Sequence, residues 1–381
     1  MKASVIVISL LCLFVFATPV FAVGENEAQL QAEIEKYDFE AWEKSFSTLP
    51  DDIRGMLGES AKDMITEYAQ GKENGNAQET LDKIKNTLWF SFNKSVVPIT
   101  KVLAIGVLSS LASALVESKG KADGQSAVSL LCTGICVLLL LNEIISMITN
   151  IRGSLDGLST FFEISVPVLA TLIAAVGNVG TSGMLTPLAA FLNGTVASAF
   201  KNIIIPLTFS LAAICVVDAM SEDGSLKHFS KLIKTALKWV IGIVFTVYMG
   251  MIAVQGVAAY TADGVAVKSV QFALSESIPV VGSVVSGTLS TVISCALMVK
   301  NAAGISAVII AGAYLLTPLL NIGGMTLALR VGAALCETVA DRKICNLLSS
   351  LADVCNYLFA AVVSLGLMFM ITLGVCIMVG S

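Results

Sequence analysis

Charge is scarce in this chain: Asp, Glu, Lys and Arg make up 13% of 381 residues, against 56% apolar residues. A water-soluble protein of this length cannot hide that much apolar surface, so a soluble globular class is excluded. Histidine is scarcer still. The single His228 is not placed to activate a Ser or Cys nucleophile, and no H-E-x-x-H motif is present, which removes the common hydrolase and zinc-protease arrangements. The phosphate loop G-x-x-x-x-G-K-[ST] is also missing, so nucleotide is not hydrolysed by that route. Residues 24–88 hold no cysteine, and a disulfide framework there is excluded. Cys132 and Cys136 lie one helical turn apart, yet no His or carboxylate joins them to complete a metal site. The expected chain is therefore not an enzyme, with no catalytic, cofactor-binding or metal-binding residue, and nucleic acid is not an expected partner.

What the chain does have is apolar length. From residue 94 to Ser381 it is almost continuously hydrophobic, and mean hydropathy over the whole chain is +0.85. The expected class is all-α: a polytopic helical membrane protein with about eight to ten spans. Eight of the nine cysteines fall in or beside these apolar stretches and read as small hydrophobes. Ahead of them, Lys2, the apolar run Val5 to Phe16 and the small-residue exit Val20-Phe21-Ala22 read as a secretory signal over residues 1–22. The segment from Val23 is then expected outside the cytoplasm.

Residues 24–88 carry 15 acidic and 7 basic residues, a local charge of −8, whereas the whole chain is −5. Apolar residues recur there at helical spacing: Leu30, Ile34, Tyr37, Ala41; then Ile53, Met56, Leu57, Met64, Ile65, Tyr68; then Leu81, Ile84, Leu88. Pro50 suits a first helical turn, and Glu73-Asn74-Gly75-Asn76 reads as a turn. Residues 23–92 thus form a small acidic helical domain outside the cytoplasm. Three short helices bury little, so their apolar stripes are expected to need a partner or the membrane surface.

Residues 93–381 form the membrane domain. Spans are expected near 95–116, 127–148, 162–177, 184–200, 203–220 and 238–259, with two or three more in 278–337 and a last one from about Asn356 to Val379. Basic residues mark cytoplasmic loops. With residue 90 outside, ten spans place Lys119 and Lys121, Lys227 to Lys238, Lys300, and Arg342-Lys343 all inside.

Two proline pairs recur at an offset of 112. Ser165-Val166-Pro167-Val168 resembles Ser277-Ile278-Pro279-Val280, and Pro206 matches Pro318. This suggests tandem units over 162–260 and 274–379. Charges at membrane depth default to function. Glu143 and Asp218 are the candidates for a polar lining, while Lys101, Lys201 and Lys300 sit where a lysine can snorkel. Ala303, Ala307 and Ala311 give the four-residue spacing of close helix packing. The candidate conduit or hinge positions are Gln255, Gly256, Asp263, Gly264, Pro279 and Gly282, together with Pro167, Pro206 and Pro318. The segment from Gln255 to Gly282 is expected to form an outward-facing re-entrant or interfacial element.

The stretch Gln255-Gly256, Ala262-Asp263-Gly264, Lys268 and Ile278-Pro279-Val280-Val281-Gly282 resembles the hallmark of the stage III sporulation protein AE family of endospore formers. Pro187-Leu188, Phe191-Leu192-Asn193, Ile205-Pro206-Leu207 and Tyr357-Leu358-Phe359-Ala360-Ala361 agree with it. Cys336-Glu337-Thr338 departs, since the resemblance leads one to expect a proline after the acid. The resemblance implies a multi-pass protein of the mother-cell membrane around the forespore. It implies a subunit of a channel-like, secretion-like complex needed for forespore development. The implied partners are other membrane and intermembrane-space subunits, a separate secretion-type ATPase and the lipid bilayer. Two other readings remain: an autonomous permease or secondary transporter, and a membrane scaffold without a conduit.

Overall fold

A computed structural model describes residues 27–49, 54, 57, 60–71, 77–117, 122–221, 226–277, 282–339 and 342–378, with side chains undescribed in parts of some helices, including 255–292. The signal segment, Pro50, the turn Glu73 to Asn76 and Pro279 lie outside the described residues. Every element among the described residues is helical.

Three short helices come first: α1 (Glu27–Ile34), α2 (Glu40–Ser47) and α3 (Ala61–Ala69). Isolated helices this short are marginal, so caps and packing must hold them. Ser60 Oγ accepts the Asp63 N–H at 3.1 Å, and Glu43 of α2 accepts the Ala61 N–H at 2.9 Å. Two orphan donors of α3 are thereby satisfied, one of them by a neighbouring helix. Lys36 Nζ donates to Glu33 at 2.5 Å, and this hydrogen bond holds the Lys36 ammonium pKa above its usual value.

The long helices are α4 (Ala77–Glu117), α5 (Ala122–Ala175), α6 (Val179–Ala199), α7 (Ile205–Met220), α8 (Lys227–Ser277), α9 (Gly282–Val339) and α10 (Arg342–Met378). Five stretches among the described residues are long and apolar enough to cross a membrane: Val128–Ala175, Val179–Met220, Lys227–Val254, Ile293–Glu337 and Arg342–Met378. A shorter apolar helix, Val96–Ala112, accompanies them.

The class is as expected, but the division into eight to ten spans is not. Residues 127–148 and 162–177 belong to one helix, α5, and helix continues through Arg152 and Asp156. Residues 278–337 are not two or three spans, since α9 is unbroken from Gly282 to Val339. The third stripe of the acidic block (Leu81, Ile84, Leu88) runs directly into the first apolar stretch as α4. Charged residues interrupt hydropathy, but they do not interrupt backbone hydrogen bonding. Where they find partners at the same level, the helix continues. At 1.5 Å per residue α5 is about 80 Å long, far beyond the ~30 Å of a hydrocarbon core.

Prolines are absorbed in the same way. Pro167 and Pro318 sit inside α5 and α9. Just before Pro206 the helix widens into a π turn, Phe200–Ile204, where the Ile205 N–H reaches the Phe200 carbonyl. Proline supplies no N–H to the carbonyl four residues back, and a π turn accommodates that loss without reversing the chain.

Helix pairing follows from side-chain contacts. A Cβ at Gly366 or Gly304 would meet Leu315 or Ile377, and one at Gly332 would meet Ile99 of α4 with Leu348 3.8 Å away, so α9 and α10 form an antiparallel hairpin. The α4–α5 pair closes with Cys136 Sγ 4.0 Å from the Val102 carbonyl. Helices α8 and α10 run parallel, since Lys234 pairs with Asp353 and Tyr248 donates to the Met368 carbonyl at 2.9 Å. Helix α9 is the central element, buried continuously from Val299 to Leu315. Ala303, Ala307 and Ala311 are all fully buried there, as small residues in close-packed membrane interfaces are.

Part of the acidic block finds its cover within the chain. Trp42, fully buried, packs at 5.7 Å from Phe161 of α5, and the Tyr314 hydroxyl of α9 donates to the Ser45 carbonyl at 2.6 Å. Leu30, Ile34, Phe46 and Ile65 are buried in the same core. The described part of the stripes, including Leu30, Ile34, Met64 and Ile65, is covered by the flanks of α5 and α9, whereas Ile53, Met56 and the side chains of Leu81, Ile84 and Leu88 lie outside the described residues.

Candidate functional site

Polar groups collect at three levels of the bundle. The first is the end where α7 stops and α8 and α10 begin. Asp353 of α10 accepts Lys234 of α8 at 2.9 Å and Arg330 of α9 at 3.4 Å, and Lys238 lies 5.8 Å from the Tyr357 ring. The expected cytoplasmic clusters Lys227 to Lys238 and Arg342-Lys343 therefore share one end. Lys300 does not. It is fully buried and donates to the Ile377 carbonyl at 2.9 Å, about 50 Å along α10 from Lys343. Its placement on the same side as the other clusters fails because α9 has no reversal between Lys300 and Glu337.

The second level is a polar belt across the middle. Asp156 of α5 pairs with Lys201 in the π turn after α6. Asn193 Nδ2 donates to the Ser159 carbonyl at 3.3 Å and to Glu163 Oε1 at 3.2 Å, and Ser159 Oγ donates to Asn193 Oδ1 at 3.3 Å. Asn193 and Ser159 are buried, where an unmet amide or hydroxyl is costly, and each meets the other. Tyr314 lies at this level and carries the acidic block through Ser45 and Thr48, the latter at 2.7 Å. Asp156, Ser159 and Lys201 of the belt fall between expected spans, at 149–161 and 201–202, whereas Glu163, Asn193 and Tyr314 fall inside them. The belt's signal in the sequence is the shared position of Asp156 and Lys201 in two neighbouring apolar runs.

The third level is the far end, with Lys300 and, nearer the middle, Tyr248 bonded to Thr372.

The expected site residues are scattered over these levels. Asp218 lies at the basic end, half-buried, and its Oδ1 has no hydrogen-bond partner among the described residues. Glu143 is exposed on α5. Pro167 and Pro206 are exposed, whereas Pro318 is buried in α9 beside the belt. Gln255, Gly256, Asp263 and Gly264 lie on the backbone of α8, and Gly282 opens α9; their side chains are outside the described residues, as is Pro279. The residues sequence reading missed are Asn193, Ser159 and Tyr314. Single polar residues in apolar helices carry no motif, and only the register between helices brings them together.

No solved structure matches this chain. The stage III sporulation protein AE of Bacillus subtilis strain 168 is 26% identical over 331 residues, covering 86% of this chain and 82% of the relative. The sequence profile described as stage III sporulation protein AE matches residues 59–380, which takes in α3 and every long helix of the bundle. On that match, the chain belongs to the stage III sporulation protein AE family.

Proposed function

We propose that this sporulation protein is the membrane subunit of a channel or secretion-like complex between mother cell and forespore. On this reading it sits in the mother-cell membrane, keeps its basic end in the cytoplasm, and works as a non-enzymatic body whose energy comes from a separate ATPase. The observation that carries the reading is a spacing. Tyr314, where the acidic layer docks, lies about 35 Å along α9 from Glu337 at the basic end, close to one hydrocarbon thickness. On this reading one bilayer lies between the basic end and the acidic layer, in the order that the positive-inside rule favours, with the α4–α5 hairpin reaching ~20 Å past the basic end from Val102 and Cys136. The helices continue past that layer for another ~20 Å or more, from Tyr314 back to Lys300 and beyond. In the proposed setting these upper halves stand in the space between the two membranes, within reach of intermembrane-space subunits.

A lone permease would need no such extension and no neighbours. The two are separated by affinity purification of the full-length protein from sporulating cells after mild cross-linking. The expected result is co-isolation of other sporulation membrane and intermembrane-space proteins and of a secretion-type ATPase. Recovery of the chain alone, at normal yield and with intact cross-linking of a known complex, would overturn the proposal.

A further inference from the structure

A cavity of about 640 Å³ opens at the basic end, between the C-terminus of α7 and the first turns of α8 and α10. Lys227, Lys231, Lys234, Arg342 and Lys343 line it, together with Asp218. The starts of α8 and α10 both face it, so two positive helix ends add to five cationic side chains. Three membrane-length stretches end at this cavity: Val179–Met220 leaves there, and Lys227–Val254 and Arg342–Met378 start there. On the membrane placement proposed above, that is the depth at which lipid phosphates lie. Next to lining residues in sequence, Val217, Phe229 and Leu232 are more than half exposed, which leaves apolar surface for acyl chains on the same turns.

We infer that this cavity binds the headgroup of an anionic phospholipid that carries both a phosphodiester and a hydroxyl, of the phosphatidylglycerol type. The phosphate meets the lysine and arginine cluster, as in basic pockets between membrane helices. The hydroxyl answers Asp218, whose buried Oδ1 otherwise lacks a donor among the described residues. Glu222, Asp223 and Asp341, adjacent in sequence, lie outside the described residues. The weight therefore rests on Lys231, which lies a turn inside α8, since Lys234 is already paired with Asp353.

The test uses full-length protein in phosphatidylcholine nanodiscs doped with phosphatidylglycerol or phosphatidic acid, with retained lipid counted by native mass spectrometry. Wild type should retain phosphatidylglycerol over phosphatidylcholine by roughly tenfold or more. K227Q/K231Q/R342Q should lose that preference, whereas the charge-matched K36Q/K44Q/K62Q should keep it. Asp218→Ala should narrow the margin between phosphatidylglycerol and phosphatidic acid. The idea is overturned if wild type shows no preference, a result that depends on no variant folding, or if K227Q/K231Q/R342Q retains as much as wild type. Equal occupancy by millimolar inorganic phosphate would assign the site to a free anion and overturn the lipid assignment. Capture of a soluble acidic protein through the same three residues, without lipid preference, would overturn it as well.

Discussion

Replacing Trp42 by alanine should cost about 3–5 kcal/mol and free the acidic layer from the bundle. Trp42 is fully buried between Phe39 and Phe161, each ring 5.7 Å away. It is the largest side chain joining α2 to α5. The acidic layer packs on the aqueous side in the proposed orientation, so the hydrophobic effect operates there at full strength. The remaining polar ties, Tyr314 to Ser45 and Thr48, are two hydrogen bonds with a net worth of about 1 kcal/mol each, beside the apolar contacts of Leu30, Ile34 and Ile65. Without the Trp42 anchor those weaker contacts hold α2 less firmly, and the layer opens more often. Limited proteolysis of the reconstituted protein should cut within residues 27–71 of the alanine variant and leave wild type intact there. Trp42→Phe should be much milder, because its Nε1 has no hydrogen-bond partner among the described residues to lose. If the alanine variant resists protease as wild type does, the layer is held by something other than this contact.

Gly366→Leu should have the largest effect inside the bundle, lowering stability by about 3 kcal/mol or more. A Cβ built at Gly366 already meets Leu315 Cδ1, and Leu315 is itself almost fully buried at the centre of α9. The seam at this level is held by close packing with no room for added atoms, so a side chain wedged into it acts directly on that packing. The α9–α10 hairpin must then splay or shift. Gly183→Leu is the control, since nothing lies within 4 Å of a Cβ there. Thermal unfolding in detergent should show a lower midpoint for Gly366→Leu alone. The pair Gly366→Ala with Leu315→Ala should recover part of the loss, because the smaller neighbour vacates the space. Equal midpoints for Gly366→Leu and Gly183→Leu would show that this seam is looser than described.

The helical membrane class and the acidic helical block were both legible in composition and periodicity. The length of the helices was not. Hydropathy sees Arg152, Asp156, Lys201 and Asn202 as the ends of spans. In the fold Asp156 and Lys201 meet each other, and α5 and the α6–π–α7 stretch run on. A single sequence carries no record of that meeting, because it depends on the register between helices. The same limit applies to Leu30, Ile34 and Ile65. Their spacing predicts a buried face, but the surface that covers it, the flanks of α5 and α9, lies more than a hundred residues away. Pro206 was visible as a break, whereas its outcome as a π turn rather than a reversal follows from the apolar helix continuing on both sides. The basic residues fared better. Lys227 to Lys238 and Arg342-Lys343 were grouped by charge alone and share one end of the bundle, whereas Lys300, lone and buried, does not join them.

Cysteine accessibility in sporulating cells tests most directly the claim that one bilayer fits between the basic end and the acidic layer. Single cysteines replace Lys62 on α3, Gly183 on the upper half of α6 and Lys231 at the basic end, all three exposed positions. A membrane-impermeant maleimide that reaches the outer face of the mother-cell membrane should label positions 62 and 183. Position 231 should react only after that membrane is opened. Labelling of 231 alongside 62 in intact cells, or protection of 62 while 231 reacts, would contradict the account.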